Sequence, residues 1–408
     1  MKQICILTAG TLPVPPVRGG AVENLIDMIL RENESACSAK FTVASIYDEE
    51  AARNVSEYRQ TEFHFVEIPK AIRILDGIVH ACAKVVFEQK AHSFRCIFAR
   101  LFYIKNATKF LRENDFDRVV AENHHSLFLV MKDRLVSRKY AQTFFYHAHN
   151  VPGGSFTCKK QIERCRNILT VSDFISACYR QSYPRCAAEF RVVKNGIDTE
   201  LFSQKLTEAE RTAFRKSLGI GSDDFLLFFA GRLNAEKGID RLCEAFVRLS
   251  IPNVKLMICG ANFFGTDSKS PFEVRLLGIL GEKCRDVVFT GFVPYREIWR
   301  FYAVCDVAVL PSIVDEAALL TNIEASVASL PVITTSSGGI PEYSNLPSAI
   351  LLERDDNLVW NICMQCESLY GNHSLRKQLG ELNHDFAVQF SKERFYRDFM
   401  AALGIVDA

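Results

Sequence analysis

Short apolar runs alternate with helix-length amphipathic segments along most of the chain. Strands are predicted at 3–9, 41–47, 63–69, 117–122, 143–148, 167–171, 190–194, 225–231, 254–259, 286–290, 306–310, 331–335 and 349–352. Between them, helices are predicted at positions such as 21–31, 95–113, 238–249, 272–283 and 319–329. This alternation predicts an α/β fold in which parallel sheets are covered by helices on both faces.

The pattern restarts near residue 223, after a polar stretch at 199–222 that we interpret as a linker. A length of 408 residues also favours two domains over one. We therefore predict two doubly wound, Rossmann-like domains that face a cleft, at 1–198 and 199–385, with a C-terminal helix at 386–408 that returns to the first domain. Ligands of such sheets bind beyond the carboxyl ends of the strands.

The chain is nearly neutral overall, but basic residues are concentrated in one segment. The net charge of +1 argues against a nucleic-acid partner. Residues 70–112, however, hold nine basic and two acidic residues among many apolar ones. Either this segment binds an anionic membrane surface, or it is a pair of amphipathic helices with a solvated basic face. No apolar run is long enough to span a membrane and the N-terminus reads as a buried strand, so we expect a cytoplasmic protein, peripheral at the inner membrane face under the first interpretation.

Polar residues follow several predicted strands of the second half. Glu316 and Glu324 stand after the strand at 306–310, and Arg232 and Lys237 flank the loop after the strand at 225–231. Carboxylates at such an edge suit sugar and ribose hydroxyls. Two cations beside a helix N-terminus can hold a diphosphate without metal, although a solvated basic loop explains Arg232 and Lys237 equally well. The glycine pair in 334–342 is a second candidate for contact with phosphate or sugar oxygens.

The first half offers two weaker candidates. Gly19 and Gly20 open a helix, where backbone amides can approach a phosphate, although a plain turn explains them equally well. His147 and His149 end the strand at 143–148 and point to one face. No third ligand is visible nearby in the sequence, which argues against metal. For one of the two histidines, a substrate contact is favoured over a structural role as a polar residue at a strand end.

Cysteine usage adds little chemistry. Cys363 and Cys366 form a C-x-x-C without a second pair or a preceding strand. We therefore interpret these two residues as helix core rather than as a zinc or redox site.

Together these segments resemble glycosyltransferase family 4, the retaining nucleotide-sugar transferases of the GT-B fold. The stretches that carry the resemblance, spread in order over 18–342, are RGGAVENLI, VSDFI, VVKNGIDTELF, FAGRLNAEKGIDRL, GFVPYREIWRFYAVCDVAVLPS, EAALLTNIEA and LPVITTSSGGIPE. The resemblance implies a first domain that binds the acceptor and a second that binds the nucleotide sugar.

The resemblance also implies residue roles. Arg232 and Lys237 would hold the diphosphate as it leaves, Glu316 would face the donor sugar, and Glu324 would hold the ribose. His149, or His147, would contact the sugar. The remaining donor-binding residues would be Gly19, Gly20, Phe292, Val293, Leu319, Leu320 and Thr321, whereas Asn195 and Asp198 would be architectural.

The implied activity is sugar transfer from a nucleoside-diphosphate sugar to a glycan or lipid-linked acceptor, in polysaccharide or lipopolysaccharide synthesis, with no cofactor and no metal. Two departures from the family pattern are Leu319 and Ser329, where glycine is usual. The alternatives are a GT-B epimerase, which the Arg232–Lys237 loop and the glutamate spacing disfavour, and a catalytically silent GT-B partner or glycan-binding protein.

Overall fold

The computed structural model describes residues 1–87, 96–260 and 270–405. The chain divides into two compact units, Met1–Lys194 with Lys392–Ala408, and Asn195–Ser391. Each unit contains one parallel sheet, and all thirteen predicted strands are present with ends that shift by up to three residues. The predicted α/β class is therefore confirmed.

The N-terminal unit contains a seven-stranded sheet in the order β3-β2-β1-β4-β5-β6-β7. Its strands are β1 (Lys2–Leu7), β2 (Ala39–Ile46), β3 (Thr61–Val66), β4 (Arg118–Glu122), β5 (Phe144–Ala148), β6 (Asn167–Thr170) and β7 (Glu189–Val192). Its helices are α1 (Ala21–Ala36), α2 (Glu49–Asn54), α3 (Lys70–Phe87), α4 (Ile97–Glu113), α5 (Arg134–Tyr140), α6 (Lys159–Arg164) and α7 (Asp173–Ser182).

The C-terminal unit contains a six-stranded sheet in the order β10-β9-β8-β11-β12-β13. Its strands are β8 (Phe225–Ala230), β9 (Val254–Cys259), β10 (Val287–Gly291), β11 (Val307–Leu310), β12 (Val332–Thr335) and β13 (Ile350–Leu352). Its helices are α8 (Thr199–Phe202), α9 (Glu208–Ser217), α10 (Ile239–Arg248), α11 (Pro271–Leu280), α12 (Trp299–Ala303), α13 (Leu320–Val327), α14 (Leu358–Tyr370) and α15 (His373–Ala387).

The last helix, α16 (Lys392–Ala402), packs in the N-terminal unit. Phe395 and Phe399 are buried in the core that also contains the apolar face of α1. Tyr396 donates a hydrogen bond of 2.8 Å to Asn33, and Arg118 on β4 donates one of 2.8 Å to the carbonyl of Leu403. The end of the described chain is therefore part of this unit's core.

Candidate active site

Loops that follow β8, β10, β11 and β12 meet at the carboxyl edge of the C-terminal sheet, because all its strands are parallel. Such edges are where doubly wound sheets bind their ligands. Within this unit, the edge carries most of the charged residues singled out above. They are Arg232 and Lys237 after β8, and Glu316 and Glu324 after β11.

A short 3₁₀ turn, Ala235–Lys237, holds Lys237 at this edge. The side chain of Asn234 caps the turn by accepting from the amide of Lys237 at 3.2 Å. Gly238 then adopts φ +65°, and a Cβ there would lie 1.9 Å from the carbonyl oxygen of Pro311. Only glycine allows this approach of the turn to the loop after β11.

The ammonium of Lys237 pairs with the carboxylate of Glu316 at 2.7 Å. Both side chains are mostly buried, 18% and 12% exposed, so this pair is more strongly held than an ordinary surface pair. The hydroxyl of Ser312 also donates to Glu316. Three polar groups thus converge at the carboxyl end of β11, and sequence reasoning missed Ser312.

Arg232 has a different environment from Lys237. Its side chain is 63% exposed, and its contact with Glu236 is loose, at 3.8 Å. A guanidinium in that state can reorient toward a ligand at little cost, because little desolvation or hydrogen bonding is lost.

The glycine pair after β12 contacts the backbone of the loop that carries Glu316. The amide of Gly339 donates to the carbonyl oxygen of Glu316 at 2.7 Å. Gly338 adopts φ +56°, and a Cβ there would lie 2.2 Å from that same oxygen. The segment therefore contacts the protein's own backbone, and its predicted contact with phosphate or sugar oxygens stays a prediction.

Glu324 lies on α13 and is 6% exposed. The phenol of Tyr302, on α12, donates to its carboxylate at 2.7 Å. Burial raises the pKa of Glu324 to about 7, against the opposing effect of that hydrogen bond. Burial therefore disfavours the charged form of Glu324, and acids with a pKa raised in this way are typical of functional positions.

Other predicted donor contacts lie around this edge. Phe292 is exposed and Val293 half-buried directly after β10. Leu319 is buried in the core of the unit, and Leu320 packs against that core. The buried hydroxyl of Thr321 has no hydrogen-bond partner among the described residues.

The two residues expected to be architectural make structural contacts. The backbone amide of Asn195 donates a hydrogen bond of 2.9 Å to the phenol oxygen of Tyr343. Asp198 caps α8 by accepting from the amide of Leu201 at 3.0 Å. Cys363 and Cys366 are buried on α14, which confirms their interpretation as helix core.

In the N-terminal unit, His147 and His149 meet a third group that sequence reasoning missed. Glu122 ends β4, which pairs with β5, and it is fully buried. One carboxylate oxygen lies 2.8 Å from Nε2 of His149 and 3.2 Å from Nδ1 of His147. The two ring nitrogens are 3.2 Å apart.

Burial and the contacts within the cluster together shift the pKa values of Glu122 and His149. Burial alone would raise the pKa of Glu122, but His147 and His149 outweigh it and lower the pKa to about 2. Burial, and then His147, lowers the pKa of His149 to about 4 against the effect of Glu122. His149 is only 5% exposed at its side chain, and its sugar contact stays a prediction.

The glycines before α1 have positive φ, +73° at Gly19 and +106° at Gly20. A Cβ on Gly20 would lie 2.2 Å from a carboxylate oxygen of Glu23. Burial raises the pKa of Glu23 to about 7, and the charge of Glu122 adds to this rise. An acidic group therefore occupies the helix N-terminus where phosphate contact is predicted.

The basic, apolar segment forms α3 and α4. Asp76 is buried and accepts from the amides of Phe98 and Ala99, both at 2.9 Å, so its charge caps α4. Ile74 and Ile78 are exposed on α3. Residues 88–95, with Phe94, lie outside the described residues, as do the side chains of Val85, Val86 and Phe87. Over the described ranges, no helix combines the length and apolar character needed to cross a bilayer.

Residues 210–349 match the family model "Glycosyl transferases group 1". The chain is 28% identical over 347 residues to "Putative glycosyltransferase YtcC" of Bacillus subtilis (strain 168), covering 83% of this chain and 75% of that protein. It is 29% identical over 179 residues to "Lipopolysaccharide 1,2-N-acetylglucosaminetransferase" of Salmonella typhimurium, covering 43% and 45%.

Among solved structures, the Anabaena protein Alr3699/HepE, in complex with UDP-glucose, superposes with a TM-score of 0.73 at 15% identity and full coverage of both chains. WaaG, "a glycosyltransferase involved in lipopolysaccharide biosynthesis", gives 0.67 at 17% identity, again with full coverage of both. These likenesses show the GT-B fold. Together with the sequence matches, they support the GT-B glycosyltransferases as the group that this chain resembles.

Proposed function

We propose that the chain is a retaining glycosyltransferase of family 4 that moves a sugar from a nucleoside-diphosphate sugar to a glycan or lipid-linked acceptor. The observation that carries the proposal is the mostly buried pair of Lys237 and Glu316, 2.7 Å apart at the carboxyl edge of the C-terminal sheet. The match of residues 210–349 covers both residues of the pair.

Lys237 and Arg232 stabilise the leaving diphosphate. Cleavage of a glycosyl–diphosphate bond places negative charge on the departing phosphates, and fixed cations aimed at that charge lower the barrier. Glu316 pairs with Lys237 and holds its ammonium in position until the diphosphate arrives. Arg232, exposed and loosely paired, then closes on the phosphates with its planar guanidinium.

Glu324 accepts hydrogen bonds from the ribose. Tyr302 occupies one of its oxygens, and a carboxylate can accept further bonds at the other. Phe292 and Val293, after β10, meet the base through their backbone, and the α13 N-terminus with Thr321 adjoins the donor.

The sugar retains its configuration because the acceptor attacks from the face that the diphosphate leaves. A phosphate oxygen takes the acceptor proton, so a close pair of carboxylates on the protein is not needed. The protein's own cations take the role that a divalent ion has in other transferases, which makes the transfer metal-independent.

We place the reaction at the inner face of the cell membrane, in polysaccharide or lipopolysaccharide synthesis. This rests on the exposed apolar residues of α3 and on the exposed cations Arg73 and Lys105. The full chain should co-sediment with anionic vesicles, less so at high salt or with Arg73→Glu and Lys105→Glu. Salt-independent binding, or none, would contradict this placement.

The activity is tested by release of nucleoside diphosphate from a panel of nucleotide sugars. Lys237→Ala and Glu324→Ala should each lower turnover by roughly 10²-fold or more, because each removes a group aimed at the donor. Lys255→Ala is the matched control: Lys255 also pairs with a carboxylate, Asp286 at 2.6 Å, but lies near the amino end of β9. If no donor binds or turns over, the chain is instead a silent GT-B partner.

A further inference from the structure

The buried cluster of Glu122, His147 and His149 lies at the carboxyl ends of β4 and β5 in the N-terminal unit. Its three inward atoms form a small triangle. Oε2 of Glu122 lies 2.8 Å from Nε2 of His149 and 3.2 Å from Nδ1 of His147, and the two nitrogens are 3.2 Å apart. We infer that these residues form a binding site for a divalent transition-metal ion, zinc by ligand type.

The triangle is a few tenths of an ångström tighter than a tetrahedral zinc site, and small shifts of the side chains would open it to that size. Zinc binds His nitrogen and carboxylate oxygen at about 2.0–2.2 Å, which places tetrahedral ligands about 3.3–3.5 Å apart. A point roughly 2.0–2.1 Å from all three atoms exists about 1 Å outside their plane, at zinc distances.

The chemistry of the cluster also favours a cation. Glu122 is fully buried, and an ionised carboxylate in that position is costly unless it is paired. A second buried carboxyl group, Glu23, is close enough for its pKa to be raised by the charge of Glu122. A divalent ion would neutralise this local negative charge and would accept the lone pairs of both imidazoles at once.

The outer ring nitrogens, Nε2 of His147 and Nδ1 of His149, are buried and have no hydrogen-bond partner within the described residues. A neutral imidazole carries one ring proton, so each ring can hold that proton on its outer nitrogen and present the inward nitrogen to a metal. Partners for outer nitrogens strengthen metal sites by about 10- to 100-fold. This site should accordingly lose its metal to chelators more readily than a zinc site that has them.

The ion would join the carboxyl ends of β4 and β5. Glu122 lies on β4, His147 lies on β5, and His149 directly follows β5. Because the ion would bind the folded unit and not the unfolded chain, binding of the metal should stabilise the N-terminal unit.

The test uses the full chain, purified without chelators or metal-affinity resin. Elemental analysis should find about one equivalent of zinc, and Co²⁺ added to the metal-stripped chain should give a visible ligand-field band that zinc abolishes. Glu122→Gln and His147→Gln should lose both signals. His64→Gln, a half-buried histidine of the same unit that stacks on Phe110, should keep them.

Wild-type chain that binds neither zinc nor Co²⁺ would overturn the inference, whatever its transferase activity, and leave a hydrogen-bonded Glu–His cluster. Metal retained by both Glu122→Gln and His147→Gln would overturn it as well, since the ion would then lie elsewhere. Because the first outcome is read on wild-type protein, a variant that fails to fold does not prevent the test.

Discussion

Replacement of Glu324 by glutamine should stabilise the C-terminal unit, and only above the pH at which the glutamate ionises. Glutamine keeps the shape and can still accept the hydrogen bond from Tyr302. It removes the charge, which is the part of Glu324 that burial penalises. The same change should weaken nucleotide binding, because an amide oxygen is a poorer acceptor for ribose hydroxyls than a carboxylate.

The magnitude follows from the pKa. Burial raises the pKa of Glu324 from 4.5 to about 7. The folded state therefore binds this proton more tightly than the unfolded chain, and the resulting stability, present below pH 4.5, is lost as pH rises through 7. Between pH 5 and pH 8 the wild-type unit should lose about 2.5 kcal/mol relative to Glu324→Gln.

Tryptophan fluorescence makes the assay specific for this unit. Trp299 and Trp360 are the only tryptophans of the chain, and both lie within Asn195–Ser391. Urea unfolding of wild type and variant at pH 5, 6, 7 and 8 gives the difference in unfolding free energy at each pH. Glu367→Gln, which changes an exposed carboxylate on α14, serves as control and should show no such trend. A difference for Glu324→Gln that is equal at pH 5 and pH 8 would refute the reasoning.

Two further predictions concern backbone geometry. Gly338→Ala should destabilise the C-terminal unit by clearly more than the roughly 1–2 kcal/mol that a left-handed backbone costs, because its Cβ would lie 2.2 Å from the carbonyl of Glu316. Gly219→Ala, at φ +73° with no atom within 4 Å, measures that backbone cost alone, and equal losses in urea unfolding would contradict the clash. Ser329 has φ +63° and accepts from Lys205 at 2.9 Å. Ser329→Gly and Ser329→Ala both lose this bond, so thermal unfolding should show the glycine variant about 1 kcal/mol more stable, and the reverse order would exclude strain at this position.

The sheets could be predicted from the sequence because parallel strands covered on both faces are continuous apolar runs. Once strands are placed, their carboxyl ends share an edge, and this is enough to bring Arg232, Lys237 and Glu316 to one region. Their detailed partners could not be predicted in this way. Ser312 reaches Glu316 through the course of a loop, and Tyr302 reaches Glu324 from another helix.

Glu122 shows where sequence reasoning ends. Glu122 is the last residue of the predicted strand at 117–122, and the two histidines lie at the end of the next predicted strand, 143–148. That these strands are neighbours depends on the order of strands in the sheet, which periodicity does not encode. The absence of a third ligand near His147 in the sequence therefore carried no information about its neighbours in space.

Leu319 and Ser329 depart from the family pattern for different physical reasons. Leu319 adopts φ −89°, a conformation open to any residue, and its side chain is buried in the core of its unit. Glycine is therefore not required there by the backbone. The glycine with a left-handed backbone next to Glu316 is instead Gly338, in the segment after β12. At Ser329 the backbone is left-handed, so this substitution retains the conformation that glycine favours and the hydroxyl contact with Lys205 offsets part of its cost.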